Sequence, residues 1–424
     1  MTMRRVLGLG LLVVGLLGGC GDDDDDNRGG AGAAGAPGFP TTEAQAAVST
    51  YKQIAYGVYG ESLGRAVTLK QAIDAFVAAP SEQTHQAAKD AWVNSRIPYN
   101  QNDAFRFYNG PIDNDPNGPE GALNGWPLNE NYIDYTRDLP EAGIINDVAA
   151  YPAITKEIIR DKNATEGEAD ITSGYHAIEF LLWGQDDETP GTGAGKRPYT
   201  DFVEGAGGTA KNQARRKQYL VAAAELIVEQ LTTVAQAWDP KVAGNYAADF
   251  GVKADADSAT NDGLKDAIAN AIRGMGSLAK AELSGERMTV AIKNRSQEDE
   301  HSCFSDTTWY DLHGNALSIQ NVWVGQYRGK KVGAGISDVV AKVDPALAAQ
   351  VTTDIAKAVD ILAAFEAGNA AVPFDVVALE ADGSPNRARA IEAITALKSA
   401  SDGLVQGANK LGLAIEFELP SEEL

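Results

Sequence analysis

The run Gly174-Tyr175-His176-Ala177-Ile178-Glu179-Phe180-Leu181-Leu182-Trp183 is apolar except for one histidine and one carboxylate, which stand three residues apart. In a helix, positions i and i+3 share a face, with Cβ atoms about 5–6 Å apart. That spacing lets an imidazole and a carboxylate reach one cation. The chain has only His 4, so a histidine placed inside an apolar run beside a glutamate asks for a chemical reason. The alternative is a core histidine bonded to a carbonyl or carboxylate.

The surrounding sequence reads as helix throughout. Val48, Tyr51, Ile54, Ala55, Val58, Tyr59, Ala66, Leu69, Ile73, Phe76 and Val77 recur at helical spacing. Pro80 ends that helix, and Ser81 caps the next, which carries Trp92 ahead of Pro98. Leu220, Ile227, Leu231 and Val234 form one stripe within Gln218–Val234. Asp344-Pro345 and Ser384-Pro385 each pair a cap with a proline at the first helical position. Strand-like alternation is scarce, with a short irregular pairing possible only near Phe374–Val377. The predicted fold class is therefore all-α. Gln185–Gly208, rich in Gly, Pro, Thr and Asp, divides the body into a bundle over residues 41–190, a linker at 191–212 and a second bundle over 213–420. Asn109–Leu128 is a second long loop.

The N-terminus predicts an address. Two arginines within Met1–Arg5 precede an apolar Val6–Leu17, too short to span a bilayer comfortably. Leu17-Gly18-Gly19-Cys20 reads as a lipoprotein cleavage signal over residues 1–19, with Cys20 lipidated. The acidic, Gly-rich segment 20–40 reads as a disordered tether. Gly21, rather than an aspartate, follows the cysteine and points to the outer membrane. About 380 residues remain for the body. The formal net charge of −23 and pI near 4.6 argue against nucleic acid and anionic membrane surfaces and fit a body that attracts cations. With Cys20 spent on lipid, Cys303 has no disulfide partner and reads as a buried thiol.

A second polar constellation, Ser296-Gln297-Glu298-Asp299-Glu300-His301-Ser302-Cys303-Phe304-Ser305-Asp306, places Glu298 and His301 three apart. Inward Glu-x-x-His pairs on helices build carboxylate–histidine iron sites in bundles. A solvated acidic face is the competing reading. Cys303 and Phe304, with Trp309, Leu312, Ile319 and Val322 after them, require part of the segment to be inside. His176, Glu179, Glu298 and His301 are thus the candidate ligands. Asp299, Glu300 and Asp306 are candidates to orient or supplement the ligands, and Arg96 and Arg106 to orient carboxylates or bind an anionic chelate. His313 is a candidate second-layer group, and His85 reads as solvated. Mixed imidazole and carboxylate donors suit iron, zinc or manganese. No His-Glu-x-x-His occurs, so the two-histidine zinc platform with its built-in base is missing. Gly60-Glu61-Ser62-Leu63-Gly64 spells a serine-hydrolase motif, but it lies in a continuous helical pattern rather than a strand–elbow–helix.

Gly174-x-His176-x-x-Glu179 matches the GxHxxE motif of the imelysin family, and the chain resembles its iron-regulated protein A type of lipoprotein. Ser296–Asp306 with Asn315–Gly325, and Arg106–Asp113, look like further signatures of that group. The resemblance covers about Glu43 to Phe417. It implies two helical halves, each like a four-helix bundle, with the GxHxxE site in the cleft between them and a link to bacterial iron uptake. The leading expectation is an outer-membrane-anchored binding protein for a divalent or ferric ion or its chelate, iron before zinc, with other iron-uptake proteins as possible partners. A metallopeptidase working through the same cleft, and a peptide- or polymer-binding protein without metal, are the alternatives.

Overall fold

Helix α1, Thr41–Ala78, forms because its apolar residues fall on one stripe: Tyr51, Ile54, Val58, Tyr59, Leu69, Ile73 and Phe76 are all buried. The computed structural model describes residues 38–186, 193–252 and 263–417. The described residues form one compact unit. The leader, Cys20, nearly all of the tether, part of the 191–212 linker and residues 418–420 lie outside the described residues.

Helix α2 (Glu82–Tyr99) opens on a capping box in which Ser81 Oγ accepts from the Thr84 amide at 3.2 Å. It continues through Pro98 rather than ending before it. Helix α3 is Gly174–Trp183 and helix α4 is Gln213–Trp238. Helix α5 (Gly263–Ser277) runs on as a π-helical segment, Leu278–Thr289, and then an α-helical turn, Val290–Asn294. Helices α6 (Thr308–Val324), α7 (Pro345–Ala367) and α8 (Pro385–Lys410) complete the main set. Asp344 caps α7, with Pro345 at its first position. Ser62 of the GxSxG sequence is buried inside α1, its hydroxyl donating to the Val58 carbonyl at 2.9 Å. The all-α expectation holds. Among the described residues, the strands are the two-residue pair Gln326–Tyr327 and Lys330–Lys331. The strand suggested near Phe374 is instead a short helix, Phe374–Leu379.

The helices pack in two groups. In the first, α1 lies against α2 and α4, and α3 sits between α2 and α4. In the second, α8 packs on α5, its π-helical extension and α7, while α6 packs on α7. Packing does not divide the groups at the 191–212 segment: α4 belongs with α1 and α3, because Leu220, Ile227, Leu231 and Val234 face that core. The seam is closed by α6 against α2 and the 3-10 turn Asn100–Phe105. A methyl on Gly314 of α6 would stand 2.5 Å from Asn100 Cβ, so that crossing requires glycine.

Candidate metal centre

Gly174 opens α3 with φ +88°, a conformation L side chains rarely adopt. A Cβ there would meet the Leu123 and Ala122 carbonyl oxygens at 2.5 and 2.7 Å. The glycine of GxHxxE thus lets the helix start against the Glu120–Leu123 turn. Trp92 Nε1 donates to the Tyr175 carbonyl at 2.8 Å and pins the first turn to α2. All ten residues of α3 are buried, including His176 and Glu179.

One turn apart, His176 Nδ1 and Glu179 Oε2 share a 2.8 Å hydrogen bond. The other glutamate oxygen accepts from the Ser305 amide and hydroxyl, at 3.0 and 2.6 Å. His176 Nε2 is buried without a partner. The His301 ring meets the His176 ring edge-on, with centroids 4.7 Å apart, and Trp126 packs on both. His301 repeats the pattern: its Nδ1 bonds Asp311 Oδ2 at 2.8 Å. Asp311 is held in turn by Arg96, Asn100 and Ser302. Arg96 also donates to Asn124 Oδ1 at 2.5 Å and is enclosed by the Trp92, Tyr99 and Tyr175 rings.

Burial holds the His176 imidazole well below its ordinary pKa, and positive neighbours including Arg96 push the same way. Burial and Arg287 lower His301 to about 4 against the pull of Asp311. Both rings are therefore neutral at pH 7 and able to offer a lone pair. Burial pushes Glu179 well above the carboxylate range, despite the donors at Ser305. For Asp311 burial acts upward too, but Arg96 and the bonds from His301 and Ser302 hold it far below that range.

His301 lines a cavity of about 640 Å³ whose walls carry more acids than bases. Glu120, Glu168, Glu282, Glu286, Glu298 and Asp299 face it, against Arg106 and Arg287. Arg106 pairs with Glu120 at 3.1 Å, and Arg287 bridges Glu282 and Asp103, each at 2.8 Å. Glu282 and Arg287 come from the π-helical segment, an element frequent at functional sites.

The structure brings His176, Glu179 and His301 together, with Arg96 behind them. Glu298 and His301 do not share a helix: residues 295–306 are turns, and Glu298 is exposed on the cavity rim. Asp299 also lines the rim and accepts from Asn294. Arg106 belongs to the wall, not to the imidazoles. Glu300 and Asp306 are buried and grouped with Asp375. His313 is paired with Glu366. His85 is not solvated: it is buried, with Nε2 2.7 Å from the Leu182 carbonyl. Burial lowers its pKa to about 4. Cys303 is a free, buried thiol, as read from the sequence. Asp311, Trp126, Ser305 and Asn124 escaped sequence reasoning. Asp311 sits in the first turn of α6, where an acid is ordinary, and Trp126 lies in a Gly/Pro-rich loop.

A metal fits this arrangement. Ligating histidines commonly give their other nitrogen to a carboxylate, which fixes ring and tautomer. Both imidazoles do so, and one has an orphaned buried nitrogen. Glu179 and Asp311 then orient the ligands rather than bind directly.

A stretch of Iron-regulated protein A from Synechococcus elongatus is 28% identical over 145 residues, 34% of this chain and 31% of that protein. The chain thus matches less than a third of that relative's length. A solved structure from Parabacteroides distasonis, provisionally named an iron-regulated protein A precursor, shares the fold with a TM-score of 0.65 at 19% identity, covering 88% of this chain and 97% of that one. The imelysin sequence profile (peptidase family M75) matches residues 55–402, and the chain belongs to the imelysin family.

Proposed function

We propose that this protein binds a metal ion through His176 and His301, iron in preference to zinc, as a component of bacterial iron uptake. The observation that carries the reading is the paired imidazoles, each with Nδ1 on a buried carboxylate, with His176 Nε2 left buried and unpartnered. The name of the Synechococcus relative supports iron. The acidic walls favour arrival as a hydrated cation and oppose an anionic chelate. The reading includes a lipid anchor at Cys20 and an outer-membrane address, for which the support is the leader Leu17-Gly18-Gly19-Cys20-Gly21.

A peptidase needs a general base within reach of the attacking water. Glu179, the buried carboxylate nearest His176, is occupied by Ser305 and His176. Binding without turnover is therefore the better reading.

The test is metal content after purification without chelators, beside a proteolysis assay with and without chelator. Stoichiometric metal is expected in the wild type and not in His176→Ala, with no cleavage by either. The metal-free variant should itself lose about 1–3 kcal/mol, because Glu179 loses its buried His176 partner, so metal content rather than melting temperature decides the test. Undiminished metal in His176→Ala overturns the site, and chelator-sensitive cleavage overturns the role.

A further inference from the structure

Away from the imidazoles, one oxygen each from Glu300, Asp306 and Asp375 lies within 4.8 Å of the others. All three residues are buried. Carboxylates this close in the interior are costly unless a proton or a cation lies among them. Two oxygens bound to one Ca²⁺ at about 2.4 Å stand at most about 4.8 Å apart, so the spacing admits a shared ion. Neither oxygen of Glu300 accepts a hydrogen bond, and Asp306 Oδ1 is also orphaned, although Asp306 is only 7% exposed. The Thr308 hydroxyl is near enough to favour charge on Glu300 but makes no hydrogen bond of ordinary geometry with it. Asn369, whose Nδ2 donates to the Asp306 carbonyl at 2.8 Å, carries another buried, unpartnered oxygen, Oδ1.

We propose that Glu300, Asp306 and Asp375 form a second cation site, built from hard oxygen donors and selective for a divalent ion of the Ca²⁺ type. It is distinct from the imidazole pair in donor chemistry, since no nitrogen or sulfur belongs to the set and oxygen-only donors suit Ca²⁺, Mg²⁺ or Mn²⁺. Its place in the fold gives it a structural role. Glu300 and Asp306 flank the turns that carry Ser302 and Ser305, and Glu300 immediately precedes His301. Asp375 opens the Phe374–Leu379 helix, where its Oδ1 accepts from the Val376 amide at 2.6 Å. An ion there would staple the turn that presents His301 to that helix. Phe374 already packs edge-on to Trp309 of α6, with centroids 5.0 Å apart. Burial and the neighbouring Asp375 push Asp306 up to about 7, so a proton is what a cation would have to displace there.

The test uses the full chain, stripped with chelator and titrated with Ca²⁺ by calorimetry, with the melting temperature followed in parallel. One Ca²⁺ per chain and a raised melting temperature are expected for wild type and for His176→Ala. Asp306→Asn, which keeps a side chain tolerant of the positive φ at 306, should bind at least about tenfold more weakly. Its ion-free melting temperature should not fall. Glu300→Gln provides the same readout without disturbing the Asp375–Val376 hydrogen bond. No saturable uptake of Ca²⁺, Mg²⁺ or Mn²⁺ by wild type, or wild-type affinity in both variants, overturns the site.

Discussion

Asp311→Ala tests how the centre is held. The carboxylate is fully buried and accepts from Arg96 Nε and Nη2 at 3.3 and 3.1 Å, Asn100 at 2.6 Å, Ser302 at 2.5 Å, and shares a 2.8 Å bond with His301. Arg96 is itself only 1% exposed, so the substitution leaves a buried guanidinium facing a void. Removing one partner of a buried ion pair costs about 3–5 kcal/mol. The other donors share the same acceptor, so their individual losses do not add independently. The folding equilibrium should therefore fall between about a hundredfold and a few thousandfold, at 1.36 kcal/mol per decade. Urea unfolding reads this as a lower midpoint at unchanged slope. Replacing the pair together, Arg96→Met with Asp311→Leu, should recover only part of the loss: no charge is left unpaired, but Asn100, Ser302 and His301 still lose their buried partner. Asp311→Asn, if folded, should weaken metal binding by about 10–100-fold through misorientation of His301. A loss below about 1 kcal/mol in Asp311→Ala, the level of an exposed ion pair, would refute the network as a structural element.

Two further substitutions separate structural groups from functional ones. His85→Ala strands the Leu182 carbonyl and should cost about 1–3 kcal/mol in urea unfolding, with metal stoichiometry unchanged. His176→Ala should also lose stability, through its Glu179 bond, but differs in losing the metal. Glu282 is lowered from 4.5 to about 2, because Arg287 and Arg106 outweigh burial. A carboxylate depressed in the folded state stabilises it above the unfolded pKa and loses that contribution as pH falls through the folded value. The stability gap between wild type and Glu282→Gln should be constant above about pH 5 and shrink as pH falls from 4.5 toward 2. A gap that stays flat through that window would show that the arginines do not bias Glu282.

Much of this was legible in the sequence. The helices follow from period and caps: Ser81 and Asp344 sit where the cap chemistry requires, and the α1 stripe is buried as spaced. His176 with Glu179 could be read because two polar residues inside an apolar run have few other uses. Period failed where no helix exists. Glu298 and His301 stand three apart on turns, so spacing carried no information about a shared face. In the run Glu298-Asp299-Glu300, composition cannot say which acid turns inward, and only Glu300 does. His85 was misread from its polar neighbours, although it lies on the same stripe as Ala88, Trp92 and Tyr99, all buried. Asp311 was hidden because a first-turn acid is unremarkable until its partners, 215 residues away at Arg96, are known.

The centre also explains why the two helix groups keep one register. Arg96 and Glu179 come from the first group, and Asp311 and Ser305 from the second or the turn leading into it. The Arg96–Asp311 and Glu179–Ser305 bonds therefore cross the seam and aim the two imidazoles at the same time. Buried polar contacts are directional, so they specify a single relative placement where apolar packing tolerates several. Each ring is already tied at Nδ1 without an ion, so binding does not have to assemble the ligands, and the ordering cost that weakens flexible sites is small. A metal at this position would thus add stability by mass action to a seam that is already closed.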